Sequence, residues 1–281
     1  MRAILLILPL FLAATTTAAA QGACRPGTES NEANTFAALS VPLAFGPAGA
    51  IGEDPDAGFW VGFEATVLPN IDSATTAPSC LPRKKSENTD FLPVFGRLRA
   101  GASLLSWLDL EVGWVPPIQA NGITANLLSV ALGARIALGN GSLAFRVHAT
   151  VGEIRGPITC DEDDVADADT TRVCSGGQLS DDSYRPNIFG VDGTFAFPVG
   201  TKFRPYIGAG YNRLQPRFQV HFTDSDGFTD NQKVEVDLNR LALFGGITWL
   251  ASRRLGITGE VYSQPADAVT VRVIGRFGIG N

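Results

Sequence analysis

Residues 269–279 read VTVRVIGRFGI, and this stretch decides the fold. Val269, Val271, Val273, Phe277 and Ile279 alternate with Thr270, Arg272, Arg276 and Gly278. A period of two puts successive side chains on opposite faces of a β-strand, here one apolar face and one polar face. A soluble antiparallel sheet would show the same alternation. The polar face, however, repeatedly carries arginines and carboxylates, and a lipid-facing charge costs about 2–4 kcal/mol at the bilayer midplane.

Working back from this stretch, the alternation recurs along the chain. Phe59, Val61, Phe63, Ala65 and Val67 oppose Trp60, Gly62, Glu64 and Thr66. Near 94–102, Arg97, Arg99 and Gly101 oppose Leu98, Ala100 and Ala102. Leu108, Leu110, Val112 and Trp114 oppose Asp109, Glu111 and Gly113, until Pro116-Pro117 ends the run, because proline cannot donate to a ladder. A strand over 127–138 carries Arg135 on its polar face, and Gly139-Asn140-Gly141 after it is a hairpin signal. In 143–151, Arg146, His148 and Thr150 oppose Phe145, Val147 and Ala149. Asp192, Thr194 and Ala196 face away from Phe189, Val191, Phe195 and Phe197. A seventh strand runs over 205–222 and an eighth over 234–249, where a change of phase at Arg240-Leu241 predicts a bulge. A ninth, between turns at 252–254 and 264–267, sets Thr258, Glu260 and Tyr262 on its polar side.

The connections sort by parity. Those after even strands are short: 103–107, 139–141, 199–202 and 252–254. Those after odd strands are mostly longer: 69–92, 116–122, 156–186 and 223–233, with 264–267 the short exception. Short turns on one side and long loops on the other fit an outer-membrane barrel, with both termini expected on the periplasmic side. The reading is all-β: a closed antiparallel up-and-down transmembrane β-barrel of about ten strands, with eight as the alternative count.

The N-terminus sets the compartment. Met1–Ala20 reads as a secretory signal, with Arg2, an apolar stretch at 4–12 and a small-residue cleavage site at Ala18-Ala19-Ala20. Lipidation at Cys24 would want an aliphatic residue where Gln21 stands. Residues 21–57 lack periodicity and hold Pro26, Pro42, Pro47 and Pro55, so they are expected to form an N-terminal periplasmic tail or a partial plug. Residues 58–281 form the barrel. Elsewhere there is no run of about twenty apolar residues for a membrane helix. The net charge of −6, without a basic patch interleaved with aromatics, gives nucleic-acid binding no support. The cysteine count is 4, and an even number in an exported chain favours disulfides. Cys160 and Cys174 bracket one acidic loop and are expected to pair, which leaves Cys24 with Cys80.

The strand Pro205-Tyr206-Ile207-Gly208-Ala209-Gly210 and the closing alternation at 269–279 resemble the small bacterial outer-membrane β-barrel proteins of the OmpA-like and OmpW-like group. The resemblance covers residue 58 to the end. It implies residence in the cell outer membrane, contact with membrane lipid and lipopolysaccharide, and delivery by the barrel-insertion machinery.

Candidate functional residues lie on the polar faces: Glu64, Arg97, Arg99, Asp109, Glu111, Arg135, Arg146, Asp192, Glu260, Arg272 and Arg276. Signs this nearly balanced favour a paired network filling a narrow lumen. The only histidines are His148 and His221. His221, with Asp224 and Asp226 close by, is the material a rim enzyme would need, but no nucleophile motif accompanies it. The acidic runs at 161–169 and 224–230 are solvated loops that can hold Ca²⁺ weakly, though neither matches an EF-hand. No cofactor motif, catalytic constellation or Cys/His metal cluster is present in the sequence.

The functional expectation is a non-enzymatic outer-membrane barrel, structural or a narrow passive channel with a charged lumen. The alternatives are a rim enzyme acting on lipid or peptide, and a soluble exported barrel binding an apolar ligand, which would reverse the two faces.

Overall fold

The computed structural model describes residues 23–47, 49, 58–68, 94–169 and 172–279. Ten strands make the wall: β1 (Phe59–Val67), β2 (Val94–Leu105), β3 (Leu108–Val115), β4 (Ile123–Leu138), β5 (Gly141–Gly156), β6 (Ile188–Ala196), β7 (Phe203–Leu214), β8 (Leu238–Leu250), β9 (Leu255–Gln264) and β10 (Ala268–Ile279). Each pairs antiparallel with its neighbours, and β1 pairs with β10, from Phe59↔Ile279 to Thr66↔Arg272, which closes the barrel. Closure leaves no strand edge in the wall, the condition a sheet must meet to sit in lipid.

The alternation read at 269–279 is the wall's cross-section. Val271 and Val273 are about half exposed on the outside, while Arg272 between them is fully buried inside. Apolar residues therefore line the outside and charged residues the inside, the arrangement opposite to a soluble ligand-binding barrel.

Two expected strands differ from the observed ones. The seventh stops at Leu214 and the eighth starts at Leu238. Pro216, which has no N–H for the ladder, stands at the break. Beyond it Arg217–Gln219 and Lys233–Glu235 pair with each other as short strands above the barrel, and Asp182–Arg185 joins them. The bulge expected at Arg240-Leu241 is absent, since β8 and β7 pair without interruption from Leu238↔Leu214 to Trp249↔Phe203. The apparent change of phase has another cause: Leu238 is apolar yet faces inward, packed in a buried cluster with Leu214 and Phe218.

That cluster caps the long-loop end. Cys160 and Cys174 lie within it and are joined by a disulfide. Cys24 is also disulfide-bonded, whereas Cys80 lies outside the described residues. The whole of the 69–92 loop and the whole of Met1–Ala20 lie outside them too.

The lumen is occupied. Helix α1 (Asn31–Leu43) starts where Ser30 Oγ accepts from the Ala33 amide at 3.1 Å, with Glu32 in the first turn. Ala33, Phe36, Ala37, Ala38, Val41 and Leu43 are all buried. Phe36 stacks on Tyr184 at 5.5 Å and meets Phe218 at 6.0 Å, at the long-loop end. Phe45 is fully buried further down, and Gly49 lies against Thr248, Thr258 and Arg276 toward the short-turn end.

The lumen as candidate functional site

Register brings the lumenal charges together. Glu64 stands directly opposite Arg97, Arg146 opposite Asp192, and Glu260 opposite Arg272. Gly62 stands opposite Arg99, which leaves Arg99 room to reach sideways.

One chain of contacts crosses the barrel. Arg97 meets Glu64 at 3.0 Å, Glu64 meets Arg99 at 2.6 Å, and Arg99 meets Glu111 at 2.8 Å. Arg146 continues it, 3.6 Å from Glu111 and 2.9 Å from Asp192, and His148 Nε2 lies 3.5 Å from Asp192. A second group centres on β9 and β10, where Arg272 meets Glu260 at 3.2 Å, and the hydroxyl of Tyr206, on β7, donates to Glu260 at 2.9 Å. These two groups hold the same number of arginines as carboxylates, so the paired core is close to neutral.

The same arginines bind the backbone that fills the lumen. Arg272 donates to the Val41 carbonyl at 2.8 Å and Arg97 to the Leu43 carbonyl at 2.9 Å. Arg146 donates to the Phe45 and Gly46 carbonyls, and Arg99 to the Gly46 carbonyl at 2.8 Å. The last carbonyls of a helix have no intrahelical partner and carry the negative end of its dipole. Here guanidinium groups satisfy Val41 and Leu43, and continue past the helix to Phe45 and Gly46. The Phe45 ring lies among three guanidiniums, with Arg99 4.1 Å, Arg97 5.3 Å and Arg146 5.7 Å from its centroid. A Cβ added at Gly46 would come within 2.1 Å of Arg272 Nη1 and 2.8 Å of Glu260 Oε1, so a larger residue here would have to displace that ion pair.

The remaining candidates lie outside this core. Arg135 sits at the short-turn rim, where its Nε donates to the Ser106 carbonyl at 2.9 Å, and among the described residues no carboxylate is in ion-pair contact with it. Asp109 accepts from Ser103 at 2.6 Å near the same end, and Arg276 lies over the Trp60 ring at 5.6 Å.

His221 is exposed, and its Nδ1 contacts Asn231 Oδ1 at 2.5 Å. Asp224 is occupied in its own turn, accepting from the amides of Asp226 and Phe228. The histidine and carboxylates of a rim enzyme are thus not brought together. In the first acidic run, Asp161 caps the short helix Glu162–Ala166 and Asp167 meets Arg172 at 3.0 Å. Among the described residues no group of three metal-ligating side chains converges.

What sequence reasoning missed is the backbone partner of the arginines. Carbonyls leave no side-chain signature. The legible signal was Ser30 as N-cap with Glu32 two residues on, which marks a helix start ahead of the prolines.

No family model matches this chain, and no curated protein does. Solved structures with a similar barrel include the KdgM porin, at 8% identity, 78% coverage of this chain, 99% of that one and a TM-score of 0.36. Neisserial surface protein A follows at 9% identity, 79% and 98% coverage and a TM-score of 0.32. Ail, the attachment invasion locus protein of Yersinia pestis, stands at 9% identity, 79% and 97% coverage and a TM-score of 0.31. These likenesses are faint, and the fold of this chain, a closed antiparallel up-and-down barrel of ten strands, stands on its own strand pairing.

Proposed function

We propose that this protein is a non-enzymatic outer-membrane barrel whose narrow lumen is a passage held shut by its own N-terminal segment. The carrying observation is that Arg97, Arg99, Arg146 and Arg272 all bind backbone carbonyls between Val41 and Gly46 while paired to wall carboxylates. In this reading the short turns face the periplasm. The long loops and cap face outward, beside lipopolysaccharide, and the apolar wall meets acyl chains. Arrival in the membrane would use the general barrel-insertion machinery.

A ten-strand barrel is only slightly wider than one that side chains alone can fill. A helix and a belt of arginines suffice to block it, and a shift of the segment would open a polar path. Planar-bilayer recording tests this reading. The parent should be mostly silent, and Phe45→Ala, which removes the ring from the arginine cage, should open in frequent small steps. Large steady openings in the parent would contradict the occluded state.

The second reading is a purely structural barrel, favoured by the matched arginines and carboxylates, which knit the wall and the segment into one unit. Silence in both the parent and Phe45→Ala would select it.

A further inference from the structure

The N-terminal segment runs the length of the lumen, and its two ends lie at opposite mouths. At one end Gly49 lies against Thr248, Thr258 and Arg276, beside the short turn at 251–254. Residue 58 and β1 begin at the same end. At the other end the chain has risen past Phe45, Val41 and Phe36 into the cap. There Cys24 adds to the short strand Lys233–Glu235 in parallel, beside Val234. The Cys24 amide donates to the Lys233 carbonyl at 2.7 Å, and its carbonyl accepts from the Glu235 amide at 2.9 Å. Arg25 meets Glu235 at 3.0 Å, and Cys24 is held in a disulfide.

We infer that the N-terminal part of the exported chain is threaded through its own barrel, so that residues 23–29 form part of the outward-facing cap. The inference rests on the orientation proposed above and adds to it. An even-stranded barrel starts and ends its wall on one side, and a chain that simply began at β1 would leave its N-terminal end in the periplasm. Here about twenty residues of helix and extended chain are enough to cross. A helix rises 1.5 Å per residue, so thirteen residues of α1 cover roughly 20 Å, and the extended flanks supply the remainder of a hydrocarbon core of about 30 Å. With the upper end tied to the cap strand and the lower end continuous with the wall, the segment cannot be expelled, and any opening of the lumen must be a rearrangement inside it.

Epitope insertion tests the threading. A short tag goes between Gly27 and Thr28, in an exposed turn where added bulk meets nothing within 4 Å of Gly27. Two control tags go into the Gly139–Gly141 hairpin and into the loop near Gly176. Heat-modifiable gel migration first confirms that each variant has folded, and a second insertion between Gln21 and Gly22 serves if the first does not fold. On intact cells antibody should label the N-terminal tag and the Gly176 tag, and should reach the 139–141 tag only after permeabilisation. An N-terminal tag that stays silent until permeabilisation, with both controls behaving, would overturn the threading. Controls that report the reverse sidedness would instead overturn the proposed orientation, and threading would then show as the N-terminal and Gly176 tags still behaving alike.

Discussion

Arg272 Nη2 donates to the Val41 carbonyl oxygen at 2.8 Å, which joins the last strand of the wall to a helix 231 residues earlier in the chain. The same guanidinium holds Glu260 at 3.2 Å. One side chain thus closes the charge balance of the wall and caps the helix that fills it.

Replacing Arg272 should therefore do two kinds of damage. Arg272→Leu leaves Glu260 buried without its cation, and removing one partner of a buried pair typically destabilises by about 3–5 kcal/mol. Arg135→Leu, at the rim, should leave the unfolding midpoint close to the parent's. Denaturant midpoints in detergent compare the two. Equal midpoints for Arg272→Leu and the parent would contradict the buried pairing.

Gly46→Val should disturb the segment without disturbing the wall. Its side chain would enter the space of Arg272 and Glu260, which lie 2.1 and 2.8 Å from where a Cβ would stand. The far-ultraviolet β-signal should be retained while channel openings rise above the parent's. A silent variant with its segment fully protected from protease would mean the lumen has slack there.

Reduction of the Cys160–Cys174 bridge should act on the cap alone. The bridge closes a loop of about fifteen residues, which the chain-entropy model values at roughly 3 kcal/mol. Its sulfurs are buried in the cap cluster with Phe222 and Val220, so reduction should need partial opening of the cap. The reduced protein should keep its barrel spectrum and become cleavable between 160 and 174. A reduced protein that lost its β-signal would show that the cap supports the wall.

The cap should also respond to pH through Asp182. Burial pushes this carboxyl above its ordinary value, and hydrogen bonds from the His221 amide, the Thr159 amide and Ser180 pull it only part of the way back. A carboxyl with a raised pKa in the folded state binds its proton more tightly there than when unfolded. Its contribution to stability is full below the ordinary aspartate value and is lost as pH rises through the raised one. Amide exchange at Thr159 and His221 should accordingly quicken with rising pH beyond the intrinsic chemical trend, and Asp182→Asn should flatten that excess. An identical excess in the variant would assign the effect to another group.

The sequence by itself determined the wall. A strand repeats every two residues, so the pattern at 269–279 alone said which side chains face out and which face in, and the same rule placed Glu64, Arg97, Arg146 and Glu260 on the inner face. Chain connectivity alone separated short turns from long loops. What fills the lumen was decided only by the tertiary structure. Helix α1 is buried on all sides by a surrounding wall, so it carries no amphipathic stripe, and Pro42 and Pro47 made its neighbourhood look irregular. The choice among arginine partners was equally hidden. An inward guanidinium can satisfy a carboxylate, a carbonyl or both, and which one it meets depends on register across the closed ladder and on a backbone that arrives from the other end of the barrel.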